Sequence, residues 1–252
     1  MSTNVGYISD LHLDHQEEPW EMLEEITWQA TFFKVDYLII AGDLAGKNDV
    51  IKYLTYLGGM LKHVHIFYTP GNHEFYDFHI DTIHALSKTK LPKNVHFLHR
   101  SFYNDDARGI TVMGAVGWID GSWASPYDKR YYKERYNDFN HITGYNKLGM
   151  EYGKADRRSI ERMLSIALPK RIVVTHFVPL MECIQLKYMG DQLNHCFANN
   201  WDALIKENDI NLWVYGHSHN RDSRLIDWTV FGTNCLGYPH EGRPLRIDVV
   251  EI

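Results

Sequence analysis

The sequence predicts an α/β fold, and three observations support that prediction. Short apolar stretches typical of buried strands alternate with amphipathic helical segments at the start of the chain. This β-α-β-α-β-α order implies parallel strands joined by right-handed crossovers. The end of the chain differs, because its short strands are joined by turns and predict a second sheet.

The individual elements follow from their periodicity. Trp20, Leu23, Ile26, Ala30 and Phe33 recur at helical spacing and predict an amphipathic helix over residues 19–34. The other predicted helices are residues 50–61, 78–87, 150–167 and 198–208. The predicted strands are residues 5–8, 37–40, 65–68, 95–98, 110–115, 172–174 and 212–215, followed by 224–226, 229–233 and 245–250 in the second sheet.

Composition limits the class of protein. The 252 residues are enough for one domain with a substantial core, and 44% hydrophobic and 23% charged residues are ordinary globular values. No apolar run has the length of a membrane span, and the N-terminus lacks the pattern of a secretory signal. A net charge of −6 disfavours binding to extended nucleic acid. Three cysteines without metal or redox spacing are typical of reduced thiols, so we expect a cytoplasmic protein.

Five short segments carry side chains that bind metals. Each segment directly follows a predicted strand, and α/β sheets build their sites at the carboxyl ends of strands. The segments are Asp10-Leu11-His12, Gly42-Asp43, Gly71-Asn72-His73-Glu74, Thr175-His176 and Gly216-His217-Ser218-His219. They offer two aspartates, one amide and five imidazoles, which suffice for two divalent metals and leave one histidine over.

The order and spacing of these segments resemble the calcineurin-like metallophosphoesterases, whose pattern is D-x-H, GD, GNH[D/E], H, GHxH. The resemblance implies a four-layer α/β/β/α sandwich, in which two mixed sheets pack face to face with helices outside. It also implies a single domain over residues 1–252 that hydrolyses a phosphoester with a dinuclear metal centre and a bridging hydroxide.

The resemblance implies a role for each site residue. One metal, at what we call metal position 1, would be held by Asp10, His12, Asp43 and His219. The other, at metal position 2, would be held by Asp43, Asn72, His176 and His217. Asp43 would bridge the two metals, and His73 would be the catalytic residue that protonates the leaving oxygen or holds the phosphoryl group. Imidazole and oxygen donors suit Mn²⁺, Fe²⁺, Zn²⁺ or Ni²⁺ better than Ca²⁺, and the family favours Mn²⁺.

The motifs also discriminate among subfamilies. The GDxxDRG signature of protein Ser/Thr phosphatases is absent, Gly46 stands where purple acid phosphatases need a tyrosine, and His73 stands where lipid A pathway hydrolases typically carry arginine. The chain instead resembles small stand-alone prokaryotic and phage phosphohydrolases. Four residues in or near the stretches shared with that group are predicted to bind substrate: Asn137, Asp138, Arg221 and Tyr238. Arg221 is included as a substitute, because Leu236 occupies a position that is often arginine in that group.

Two loops are predicted to shape the substrate site. Residues 118–148 interleave aromatic and basic side chains, which could stack a base beside its phosphate. The alternative is that these rings pack the loop against the domain or form a dimer contact. Residues 177–197, which follow His176, could cover the site from another side.

These observations predict a metal-dependent phosphohydrolase acting on a small phosphoester, with a phosphodiester slightly favoured and a nucleotide-like substrate conceivable. Two alternatives are a phosphomonoesterase and a non-catalytic metal-binding scaffold of the same fold. An endonuclease is disfavoured, because the sequence has no basic track or DNA-binding appendage.

Overall fold

Two mixed sheets form the centre of the computed structural model, which describes residues 2–121 and 133–252. The strands are β1 Asn4–Ile8, β2 Tyr37–Ala41, β3 His65–Thr69, β4 Val95–Phe97, β5 Ser101–Asp105, β6 Ile110–Gly114, β7 Lys170–Val174, β8 Leu212–Tyr215, β9 Arg221–Ile226, β10 Thr229–Asn234 and β11 Asp248–Glu251. The described helices are α1 Pro19–Phe32, α2 Lys47–Met60, α3 Ile83–Leu86, α4 Asp138–His141, α5 Tyr145–Leu164 and α6 Asp202–Lys206.

Parallel strands occupy the middle of both sheets. The first sheet has the order β11-β1-β2-β3-β4, and only its edge strand β11 is antiparallel to its neighbour. The second sheet has the order β5-β6-β7-β8-β10-β9, with antiparallel strands at both edges. The predicted parallel opening of the chain is therefore confirmed.

The side chains of each central strand alternate between the two faces of its sheet, and this alternation separates the layers of the fold. In β2, Tyr37 and Ile39 face the second sheet, whereas Leu38 and Ile40 face α1 and α2. The second sheet repeats the pattern, since Trp213 of β8 packs on the side of α5 and α6. Successive side chains of a strand point to opposite faces, so each central strand contributes to two cores. The four-layer α/β/β/α sandwich is confirmed.

Several predicted elements differ in the structure. The strand predicted at 245–250 is β11, which pairs with β1 in the first sheet rather than joining the second. Strand β5 was not predicted, because it is a polar edge strand with alternating exposure. The helix predicted at 78–87 consists of a 3₁₀ turn, Ile80–Thr82, followed by α3. Helix α5 begins earlier than predicted, after Gly144 with φ 84°, and the helix predicted at 198–208 is only α6.

The layer between the sheets should dominate stability. Phe67 is fully buried there, with its ring centroid 5.3 Å from that of Tyr37. We expect Phe67→Ala to lower the free energy of unfolding by about 3–5 kcal/mol, through lost burial and the resulting cavity. Urea denaturation measures this change. Trp228→Ala is the aromatic control, since Trp228 is 88% exposed and its loss should change stability by less than about 0.5 kcal/mol. Equal effects of the two substitutions would contradict the described layering.

Candidate metal centre

The five segments meet at one end of the two sheets. They follow β1, β2 and β3 of the first sheet and β7 and β8 of the second. Because all five strands end at the same side of the sandwich, the loops that carry the polar side chains lie beside one another. The structure thus brings together all of the metal-ligating residues predicted from the sequence.

The backbone of these loops is strained at the polar residues. Asp10, His12, Asp43, His217 and His219 have φ values of 52°, 43°, 51°, 66° and 43°. This left-handed region is uncommon for residues other than glycine, although Asp and His are enriched there. Strain of this kind, about 1–3 kcal/mol for each residue, concentrates at functional sites.

Metal position 1 is marked by two imidazole nitrogens that face each other. His12 Nε2 lies 3.2 Å from His219 Nε2, which is 3.5 Å from Asp10 Oδ1. His219 Nδ1 donates to Glu241 Oε1 at 2.5 Å, because a carboxylate only accepts. In a neutral His219 ring, the lone pair therefore lies on Nε2. Burial lowers the pKa of His12 well below its usual range, so the His12 ring is neutral near pH 7.

Metal position 2 is centred on a carbonyl oxygen. Asn72 Oδ1 lies 2.9 Å from His176 Nε2 and 3.1 Å from His217 Nδ1. The second nitrogen of each ring has a protein partner: His176 Nδ1 donates to Ala41 O, and His217 Nε2 contacts the Tyr136 hydroxyl. Metal-binding histidines usually fix their second nitrogen in this way. The donor set therefore fits a divalent cation.

Asp43 lies between the two positions. Its Oδ2 is 3.4 Å from His176 Nε2 and 3.8 Å from His12 Nε2. Burial alone would lower the pKa of His176, but the Asp43 carboxylate outweighs that effect and raises it to about 10. In the metal-free protein, a proton on His176 balances the negative charge of Asp43. A metal ion at position 2 would take over that role and displace the proton.

Glu74 is a functional residue that the sequence reasoning left without a role. Its buried carboxylate accepts hydrogen bonds from the backbone N–H groups of Gly71, Leu44 and Asp43, at 2.7, 2.8 and 3.2 Å. It therefore ties the loop after β2 to the loop after β3. Gly71 is required at the contact, because a Cβ there would lie 2.1 Å from Asp43 Oδ1. The signal was present in the sequence as the last residue of the GNHE segment.

His73 lies beside the metal positions but is more accessible than most of their ligands. Its side chain is 17% exposed, against 2% or less for Asp43, His12 and His176. His73 Nε2 is 3.9 Å from Asp43 Oδ2 and 3.0 Å from the Tyr238 hydroxyl. The Tyr238 ring stacks on His12, with a centroid distance of 4.2 Å. Tyr238 therefore contacts the centre, as its assignment to the site requires.

A cavity of about 400 Å³ opens over this centre. The loop 177–197 forms one wall, which agrees with the prediction that it covers the site. Among the described residues, those that line the cavity are Asp43, Asn72, His73, Tyr76, Arg135, Tyr136, Asn137, Ile184, Gln185, Tyr188, Asp191, Leu193, Asn194, Phe197, His217, Ser218 and His219. The cavity gives a substrate access to His73 and to ligands of both metal positions.

The four residues predicted to bind substrate have different surroundings. Asn137 lines the cavity, and Tyr238 contacts His73. Asp138 is completely buried behind Asn72, where it cannot reach a substrate. Arg221 lies on β9 and donates to the carbonyl oxygens of Cys235 and Pro244, so its predicted substitution for a phosphate-binding arginine has no support in the geometry.

The loop over residues 118–148 is only partly described, because residues 122–132 lie outside the described range. Trp118, Phe139 and Tyr145 pack in a cluster with Phe75 and Phe177. For these rings the packing alternative holds. Part of the predicted loop is helical, since it contains α4 and the start of α5.

The fold of this chain is similar to the folds of several solved structures. The described fold superposes on the phosphopantetheinyl hydrolase PptH of Mycobacterium tuberculosis with a TM-score of 0.74 and 18% identity, covering 99% of this chain and 96% of that one. A dimetal phosphatase from Danio rerio gives a TM-score of 0.57 and 12% identity, covering 92% and 86%. At these identities the likeness establishes the fold alone.

Sequence comparison extends the likeness. Uncharacterized protein L509 of Acanthamoeba polyphaga mimivirus is 26% identical over 94% of this chain and 92% of its own length. The family model described as calcineurin-like phosphoesterase matches residues 3–221, which include all five segments. The chain belongs to the calcineurin-like phosphoesterase family.

Proposed function

We propose that this protein is a metal-dependent phosphodiesterase with metals at positions 1 and 2. The carrying observation is that Asp43 Oδ2 lies between His12 of metal position 1 and His176 of metal position 2, beneath an open cavity. The fold and family support hydrolysis of a phosphoester, and the ligand set supports two divalent ions. We expect Mn²⁺ to support activity best.

The protein's own residues supply position and a proton. When bound, two divalent ions polarise the phosphoryl oxygens and activate a water molecule. Asp10, Asp43 and the surrounding imidazoles would hold those ions beneath the cavity. His73 would protonate the leaving oxygen when its ring carries a proton; burial lowers the pKa of His73 from its ordinary value, so a protonated ring gives its proton up readily. The Tyr238 hydroxyl, 3.0 Å from His73 Nε2, would keep the ring oriented towards the substrate.

The charge of the cavity favours a diester. A phosphomonoester is largely a dianion near neutral pH, whereas a diester carries one negative charge. Among the described residues that line the cavity, Arg135 is the only lysine or arginine, whereas Asp43 and Asp191 contribute negative charge. The described lining therefore adds little positive charge beyond that of the metals.

The shape and chemistry of the cavity suit an aromatic arm on the substrate. Tyr76, Tyr136, Tyr188 and Phe197 contribute rings to the lining. Asn137, Gln185 and Asn194 add neutral hydrogen-bonding groups. Rings stack on nucleobases without strong sequence preference, and amides can bond to base edges. A nucleoside-like diester therefore matches the lining better than a small aliphatic one.

The test compares initial rates on bis(4-nitrophenyl) phosphate and 4-nitrophenyl phosphate, with added Mn²⁺ and again after chelation. We expect chelator-sensitive turnover that is faster on the diester, and faster still on a dinucleotide ester. Preference for the monoester would favour a phosphomonoesterase. Absence of turnover on every ester, despite two bound metals, would favour a scaffold.

A further inference from the structure

Two buried residues at the start of α4 contact ligands of the same metal position. Tyr136 is 5% exposed and lies two residues before the helix Asp138–His141. Asp138 is fully buried and is the first residue of that helix. The Tyr136 hydroxyl lies 3.2 Å from His217 Nε2, and Asp138 Oδ1 accepts from Asn72 Nδ2 at 2.8 Å. Both contacts therefore converge on metal position 2.

The Asp138 contact decides which end of the Asn72 amide faces the metal. An amide presents an acceptor on one side and two donors on the other, and a rotation by half a turn exchanges them. An ionised carboxylate only accepts, so Asp138 binds the nitrogen side. Asn72 Oδ1 is consequently directed at His176 and His217, where a cation requires an acceptor.

Tyr76 also stabilises this orientation of the Asn72 amide. Its hydroxyl donates to Asp138 Oδ1 at 3.1 Å and lies 3.2 Å from Asn72 Nδ2. The three side chains form a closed triangle with the Asn72 nitrogen at one corner. Rotation of the Asn72 amide would break two of the three contacts.

The Tyr136 contact acts on His217 in a comparable way. If His217 binds a cation through Nδ1, its ring proton must be on Nε2, and that proton needs an acceptor. The Tyr136 hydroxyl is the partner placed there. A hydroxyl can accept that proton, so the Tyr136 contact supports the tautomer that leaves the Nδ1 lone pair available.

We propose that Tyr136 and Asp138 are positioning residues that build metal position 2, and that Asp138 does not contact substrate. Glu241 has the corresponding role at metal position 1, through its contact with His219 Nδ1. This inference rests on the metal binding assumed in the proposed function, but not on turnover.

The test measures Mn²⁺ binding by calorimetry and by electron paramagnetic resonance, in the absence of substrate. Asp138→Asn supplies a donor as well as an acceptor and permits the Asn72 amide to rotate. We expect the wild-type chain to bind two Mn²⁺, and Asp138→Asn to weaken one of them by about 10- to 100-fold. Tyr136→Phe, which keeps the ring in the core, should weaken the same one.

A double-mutant cycle assigns the weakened position. If Asp138 acts through Asn72, Asp138→Asn should cause no further loss of Mn²⁺ affinity in an Asn72→Ala background. Glu241→Gln should instead weaken the other Mn²⁺, so that its effect adds to that of Asp138→Asn.

The matched control is Asp156→Asn. Asp156 is equally buried, but its carboxylate accepts from Arg100 Nε and from the backbone N–H groups of Gly117 and Trp118, which are not metal ligands. We expect this control to bind both Mn²⁺ with wild-type affinity. Wild-type binding by Asp138→Asn and Tyr136→Phe would overturn the inference. Equal loss at both metal positions in Asp138→Asn, Tyr136→Phe and the Asp156→Asn control would also overturn it. A chain that shows the expected binding pattern but hydrolyses no ester would instead contradict the proposed function alone.

Discussion

Asp43→Asn should remove the dinuclear centre. Asp43 Oδ2 lies between ligands of both metal positions, 3.8 Å from His12 Nε2 and 3.4 Å from His176 Nε2, and Oδ1 accepts from the backbone N–H of His73 at 2.9 Å. An asparagine has only one side-chain oxygen, so it can either bind the metals or accept from the His73 N–H. Its NH₂ group would occupy the remaining position, where an acceptor is needed. It also removes the negative charge that balances two cations. We expect Mn²⁺ stoichiometry to fall below two and turnover to fall by about 10³-fold or more.

The measurement combines metal content after gel filtration with the initial rate on the diester. Asp202→Asn is the surface control, because Asp202 is 44% exposed and its carboxylate pairs with Lys206 of the same helix. The control should bind two Mn²⁺ and keep its rate. Two tightly bound Mn²⁺ in Asp43→Asn would show that Asp43 is not the shared ligand.

His73→Ala should separate metal binding from turnover. His73 is accessible from the cavity, and its Nε2 is held by the Tyr238 hydroxyl. Its loss should leave both Mn²⁺ bound with wild-type affinity. Turnover should fall by about 10²- to 10⁴-fold, the usual contribution of a general acid. Calorimetry and rates on the same sample measure both quantities.

The leaving group tests the role of His73 directly. An aryl oxide needs little protonation to leave, whereas an alkoxide needs a proton, so the loss caused by His73→Ala should be larger on an alkyl diester. His63→Ala, a change at an exposed histidine outside the site, should affect neither rate. Equal losses on both esters would leave His73 as a phosphoryl-binding residue. Loss of a metal would identify it as a ligand.

The sequence was most informative about the strands and their ends. Residues such as Ile39 and Val174 lie in strands buried on both faces, which read as continuous apolar runs and can be recognised locally. The metal-binding side chains directly follow those runs, so their meeting point could be predicted. Sheet membership was harder, because β11 pairs with β1 from the opposite end of the chain.

The supporting residues around the metals were not predictable in the same way. Glu241 contacts His219 from 22 positions away, and Asp138 contacts Asn72 from 66 positions away. No local pattern encodes such contacts. Arg221 shows the converse, since it is close to His219 in sequence, but its guanidinium is bonded to Cys235 and Pro244. Closeness to His219 in sequence was therefore a poor guide to the position of Arg221, because the direction of β9 determines where its side chain lies.

The most direct measurement of the central claim is turnover of the diester as a function of Mn²⁺ bound per chain. The metal-free protein would be titrated with Mn²⁺ while bound metal and initial rate are recorded together. We predict little turnover with one Mn²⁺ bound and a steep rise as the second binds, because the two positions share Asp43 and act on one phosphoryl group. Full turnover with a single Mn²⁺ bound, or no turnover with two, would contradict a dinuclear phosphodiesterase.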